Sequence, residues 1–230
     1  MLKLMRLEMK KFRMAGYVRG ALISSLIILA FTCMVSYGQK LDDDIAFESF
    51  KMMMGLTETL VRSTFIVFAA VLLAQFVINE FRTKSITVLF MYPINRKKLM
   101  AAKLLIVMIF TFVAIICSDV IVTGGFILFN HFTHVIEETL TSQILWAMGG
   151  KMLMNAVMAS GICLIPLFFG MRKYSTSTTI VSAVLLLFIV GSNNGGISLN
   201  DIIVIPIGLA LIGIYIAYLG IRNIERKDVI

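Results

Sequence analysis

Charge is scarce in this chain. Asp, Glu, Lys and Arg make up 15% of its 230 residues while 59% are hydrophobic; a soluble domain carries about 25% charged residues. The mean hydropathy is +0.94. A globule of this size cannot hide so much apolar surface from water, which excludes a typical soluble enzyme and a disordered chain. Only three cysteines occur, Cys33, Cys117 and Cys163. Each sits in an apolar run, so they read as small membrane-embedded hydrophobes and not as a disulfide scaffold. The two histidines, His131 and His134, lie together outside the apolar runs. With Glu137 and Glu138 they give at most an incomplete metal set, and they leave Ala159-Ser160-Gly161 without a base for intramembrane hydrolysis. Prolines number three, Pro93, Pro166 and Pro206; the last two fall inside apolar runs, where a kink is expected. No G-x-x-x-x-G-K-[ST] loop is present to cradle phosphates, and no polar region is large enough for a nucleotide-binding domain.

What remains is a set of long, unbroken apolar runs. A helical span needs about 20 such residues. The runs predict an all-α integral membrane protein with six transmembrane helices, at Val18–Tyr37, Leu60–Ile78, Leu99–Phe129, Trp146–Gly170, Thr179–Gly191 and Ile202–Ile221. The third is longer than a bilayer requires and the fifth shorter. The whole chain, 1–230, reads as one transmembrane domain. Alternation of the kind that marks a membrane β-barrel is missing.

Lys and Arg orient these spans. Seventeen of the 21 basic residues fall in the N-terminal segment, after span two, after span four and after span six. The other four, Lys40, Lys51, Arg62 and Lys151, lie on the opposite side. Both termini are therefore expected in the cytoplasm. The outer loops are acidic, with Asp42, Asp43, Asp44, Glu48, Glu58, Glu137 and Glu138. They either attract a cationic substrate or simply lack basic residues. Residues 1–16 are too charged for a signal peptide and predict a cationic amphipathic helix in the headgroup plane.

Two groups of residues stand out. The first is the cytoplasmic segment 79–98 between spans two and three. There Ile86, Leu89, Phe90 and Pro93 fall at i, i+3, i+4 and i+7, one apolar stripe on a short helix over Thr83–Tyr92. Such a helix rests on a membrane or fills a groove in a partner. The second is intramembrane polarity. Asp119 is the one acidic residue deep in a predicted span, and burying it ionised costs about 2.5–3.5 kcal/mol on insertion scales. Thr111, Ser118, Asp119 and Thr123 share a side of span three, as a substrate path, as a subunit interface, or because the overlong helix leaves the membrane near Asp119. Gln75 with Asn79, and Lys151 with Asn155, are each one turn apart and read as interhelical hydrogen-bonding groups, with Lys151 snorkelling to the surface and Asn155 counted with the substrate-path or subunit-interface set.

The series Glu80, Arg82, Thr83, Ile86, Leu89, Pro93, Ile94, Arg96, Lys97 and Lys103 resembles the intracellular loop of ABC-transporter permeases of the type-2 export class. There a Glu-bearing basic segment follows the second span, runs through a leucine-rich coupling helix to a Pro-x-x-Arg stretch, and ends on a Lys that opens the third span. Ser85 departs from the pattern, standing where the family commonly has a Gly-Thr turn. The likeness extends over nearly the whole chain. It implies an N-terminal elbow helix, a coupling helix, and a re-entrant element near Gly191–Gly196. It further implies a bacterial cell-membrane permease that is not itself an enzyme and binds no cofactor. ATP and Mg2+ would be held by a partner ABC ATPase, two copies per complex, working with a second permease subunit that is a copy or a relative. The small bacterial members most like it move amphipathic or hydrophobic peptides, peptide antibiotics or toxins, which suits an apolar interior in contact with lipid; nucleic acid is not an expected partner. The contrasting reading is an ATP-independent immunity or sensor protein, or a small channel.

Overall fold

The computed structural model describes residues 2–11, 14–41, 50–83, 96–133, 142–191, 193–194, 197–198 and 204–222. These form nine α-helices, one π-helical turn and one pair of two-residue strands. In chain order they are α1 (Leu2–Lys11), α2 (Ala15–Leu41), α3 (Phe50–Leu73), a π turn (Ala74–Ile78), α4 (Asn79–Arg82), α5 (Arg96–Thr133), α6 (Ser142–Ile162), α7 (Pro166–Lys173), α8 (Thr176–Gly191), β1 (Asn193–Asn194), β2 (Ile197–Ser198) and α9 (Val204–Arg222).

Among the described residues, five stretches are long and apolar enough to cross a bilayer: Ala15–Gly38, Met52–Arg82, Lys97–Thr133, Met148–Lys173 and Ile205–Arg222. The remaining expected span, Thr179–Gly191, falls on the shorter apolar helix α8. At 16 residues, α8 is about 24 Å long at 1.5 Å per residue, against a hydrocarbon core of about 30 Å. Its apolar run stops at Gly191, and Asn193 and Asn194 then pair antiparallel with Ser198 and Ile197. A correction concerns Glu58. Assigned from sequence to an outer loop, it lies within α3, which starts at Phe50.

Hydroxyl groups within the apolar helices are mostly bonded to their own backbone. Ser25 Oγ donates to Ala21 O, Thr32 Oγ1 to Ile28 O, Ser36 Oγ to Thr32 O and Thr111 Oγ1 to Val107 O, all at 2.7–2.9 Å. Intramembrane hydroxyls need such partners because lipid offers none.

Pro166 breaks the fourth span as expected. It has no N–H for Ile162 O, and the Ile165 N–H donates there at 3.0 Å instead. Leu164 N donates likewise to Gly161 O, so the turn tightens at Cys163–Ile165 and α7 restarts with Pro166 in its first turn. Pro206 corrects the expectation of a kink. It stands two residues after Val204, in the first turn of α9, where a missing N–H costs nothing.

The chain divides into two compact units. The first comprises Met1–Met14, Ile66–Phe112 and Val157–Ile230. Its core gathers Ile66, Ala70, Ile162, Ile165, Ala183 and Ala210. Here α6 and α9 meet at small residues: a Cβ on Gly161 would stand 2.7 Å from Ala210 Cβ, and one on Gly213 would run into Gly161 O. Backbones approach this closely in lipid only where side chains are small. Tyr174, in the left-handed region at φ 47°, ends α7, and Ser175 Oγ accepts from Thr178 N at the start of α8. The Tyr174 ring stacks on Phe81 with centroids 5.8 Å apart, fastening this turn to α4.

The second unit comprises Ala15–Phe65 and Val113–Ala156. Phe50, Met53 and Phe126 form its apolar centre, with Leu29, Cys33, Leu56 and Phe129 packed around them.

Candidate functional site

The first unit holds a cluster of acidic and basic side chains where apolar helices end. Lys103, seven residues into α5, is 1% exposed. Its Nζ ion-pairs with Glu80 Oε2 and donates to Phe76 O at 3.0 Å. Glu8 Oε2 of α1 lies 3.7 Å away. Glu80 Oε1 accepts from Lys11 Nζ at 2.7 Å. Glu8 and Glu80 are both buried, while the Lys11 side chain is half exposed.

Local structure accounts for these positions. Glu80 is the second residue of α4, directly after the π turn, and Phe76 O belongs to that turn. A π turn is uncommon and concentrates at functional sites; here it presents a main-chain carbonyl to the lysine. Thr83 closes α4, its N–H and its Oγ1 both reaching Asn79 O at 2.9 Å. In α1 the exposed positions include Arg6, Leu7, Met9 and Lys10, whereas Glu8 is buried. This helix therefore turns its acidic residue inward and leaves Leu7 at the surface.

Two lysines against two glutamates make the cluster formally neutral. Neutrality is what allows it to be buried, since an unpaired ion in a low-dielectric interior costs several kcal/mol. The arrangement joins three pieces of chain, α1, α4 and the start of α5, through one ammonium. The cluster is a mechanical fastening; among the described residues it contains no nucleophile paired with a base.

The sequence-derived residues of the coupling segment fall out as follows. Glu80 is at the centre of the cluster. Arg82 and Thr83 are exposed at the end of α4, Arg96 opens α5, and Lys97 is half-buried. Ile86, Leu89, Phe90 and Pro93, with the rest of the expected helix beyond Thr83, lie outside the described residues. Sequence reasoning placed Lys103 in the pattern without seeing its pairing, and it missed Glu8. A signal existed: Glu8 is the only acidic residue in positions 1–41.

The intramembrane set divides between the units. Thr111 belongs to the first and is satisfied within its own helix. Ser118, Asp119 and Thr123 are buried in the second. Also in the second unit, Asn155 Nδ2 of α6 donates to Glu58 Oε2 of α3 at 2.7 Å. Lys151 is exposed, as is Gln75. His131 is exposed at the end of α5, and His134 lies outside the described residues.

Comparison with known proteins gives two matches. A family described as "ABC-2 family transporter protein" matches residues 4–193. An uncharacterized protein of Bacillus subtilis (strain 168), YcbO, is 40% identical over 227 residues, which cover 99% of this chain and 100% of that protein. No solved structure matches the chain.

Proposed function

The chain belongs to the ABC-2 family of transporter proteins, a multi-pass membrane component without its own ATPase site, and from that premise we propose that it is the permease of an ATP-driven exporter of amphipathic or hydrophobic peptides. A separate ABC ATPase, in two copies with ATP and Mg2+, supplies the energy. The membrane part comprises two permease subunits, this chain and either a copy or a relative. The termini face the bacterial cytoplasm, α1 lies at the membrane surface as an elbow, and α8 acts as a sixth, short span.

One observation carries this reading. The segment 84–95 is bracketed by the two members of a buried ion pair, Glu80 at its N-terminal side and Lys103 at its C-terminal side. An ATPase pressing on that segment pushes against a fastened end. Force passes from the segment into α3 and α5 together, because Lys103 holds the α5 start to both Glu80 and Phe76 O. The amphipathic stripe Ile86, Leu89, Phe90 suits insertion into an ATPase groove, and the apolar helix surfaces suit a cargo that is itself amphipathic.

The experiment is Leu89→Asp. A charge in the middle of the stripe is expected to reduce co-purification of the ATPase at least tenfold while leaving membrane insertion and yield of the chain unchanged. Undiminished co-purification of the ATPase overturns the coupling role of this segment.

A further inference from the structure

The ends of α7 and α9 carry charges that the coupling mechanism does not use. The membrane-crossing stretches that contain these helices stop at Lys173 and at Arg222. They stop side by side. Gly161 meets Ala210 and Gly213, and further along both helices a Cβ on Gly220 would rest 3.6 Å from Leu167 Cδ2. Contacts that advance together in this way mean that α9 runs in the same direction as α6 and α7. Both spans therefore reach the same membrane face.

Their last turns share a pattern. Phe168 and Phe169 are each 47% exposed and Tyr218 is 58% exposed. Arg172, Lys173 and Arg222 follow these rings by four residues and are exposed. Residues four apart lie on one helix face, so each ring stands about 6 Å deeper in the span than a cation on its own face. The stack of Phe81 on Tyr174, with centroids 5.8 Å apart, brings exposed Arg82 to the same end of the unit. Among the described residues none of these four cations ion-pairs with a carboxylate. Glu8 and Glu80, the acidic residues described in this unit, are engaged by Lys103 and Lys11.

The pattern says what kind of ligand. Guanidinium and ammonium groups present donors that match phosphate oxygens, and basic residues beside a span end are drawn to anionic headgroups. Aromatic rings at a span end settle at the headgroup boundary. A soluble partner could cover the cations, but it cannot reach rings one turn inside the span. A lipid covers both, with its headgroup at the cations and its chains along the rings.

We propose that the ends of α7 and α9 form a binding site for an anionic phospholipid, its phosphate held by Arg172, Lys173 and Arg222 and its acyl chains lying along Phe168, Phe169 and Tyr218. The site depends on the chain spanning a membrane and not on the ATPase, so its failure leaves ATPase association untouched.

The test is native mass spectrometry of the delipidated full-length chain in detergent, titrated with dioleoylphosphatidylglycerol or with dioleoylphosphatidylcholine. The two lipids have the same acyl chains and differ in headgroup charge. The first anionic lipid is expected to bind on the order of tenfold more tightly than the zwitterionic one. Combining Arg172→Gln, Lys173→Gln and Arg222→Gln should abolish that preference. A charge-matched control, Arg19→Gln, Lys98→Gln and Lys151→Gln, should keep it. Phe168→Ala with Phe169→Ala should weaken both lipids alike. Folding of each variant is checked by thermal melting, followed by reaction of Cys163, which is buried, with a maleimide dye in a Cys33→Ser, Cys117→Ser background. If the triple variant does not fold, Arg222→Gln alone is read in its place, with a reduced preference expected. Equal binding of the two lipids by the unmodified chain, a preference that survives the site substitutions, or an equal loss in the control overturns the proposal. Loss of the ATPase from the triple variant with its lipid preference intact assigns this face to the ATPase and overturns it as well.

Discussion

Replacing Lys103 by methionine is expected to be among the most damaging single changes in the chain. Methionine fills much of the same volume, so packing is retained while the ammonium is lost. Among the described residues Glu80 then keeps only the half-exposed Lys11, Glu8 loses its nearby cation, and Phe76 O loses a donor. Removing one partner of a buried pair costs about 3–5 kcal/mol because the other charge stays buried. In a chain of this length that is a fall in melting temperature on the order of 10 °C. Lys103→Met combined with Glu80→Gln should recover part of the loss, since Glu80 no longer carries a stranded charge. Lys11→Ala should cost less than about 1 kcal/mol, because a half-exposed ion pair is screened by water. The prediction separates stability from function: the double variant should fold better than the single and still transport poorly, having no ammonium to hold the start of α5. Melting followed at Cys163, with cargo export measured in cells, checks both parts. Equal melting of Lys103→Met and Lys11→Ala would refute the fastening.

Gly161→Leu should destabilise the first unit by a comparable amount through a different cause. A Cβ at this position stands 2.7 Å from Ala210 Cβ and 2.9 Å from Ala210 Cα, so the obstacle includes backbone and cannot rotate away. Overpacking costs about 1–3 kcal/mol where side chains can yield, and the rigid partner puts this site at or above the upper end. Gly149→Leu is the control, since nothing lies within 4 Å of a Cβ there. The expected result is a melting temperature lowered for Gly161→Leu and nearly unchanged for Gly149→Leu. Equal melting of the two variants would show that the α6–α9 crossing is not as close as described.

These two sites also mark where sequence reading stops. Apolar runs are local, so the spans and the Pro166 break could be located from composition and from the missing N–H alone. Asp119 was conspicuous because a lone acid in an apolar helix has no local explanation. The ion cluster was only partly visible. Glu80 and Lys103 could be picked out as charged residues at helix ends, but their pairing across 23 positions, and that of Glu8 with Lys103 across 95, depends on tertiary packing. Gly161 was noticed beside Ser160 and judged for catalysis, whereas its role is set by Ala210 and Gly213 some fifty residues later. Glu58 was assigned to a loop because loops and helix ends have the same polar composition; only the helix start at Phe50 and the bond from Asn155 place it on α3 against α6.

The measurement that bears most directly on the central claim is native mass spectrometry of the affinity-tagged chain, extracted from its own membrane in mild detergent. The account predicts a complex of two permease subunits with two copies of a P-loop ATPase, and loss of the ATPase mass when Leu89 is replaced by aspartate. The chain emerging alone or only with copies of itself, with no nucleotide-binding protein in the wild type, would contradict it.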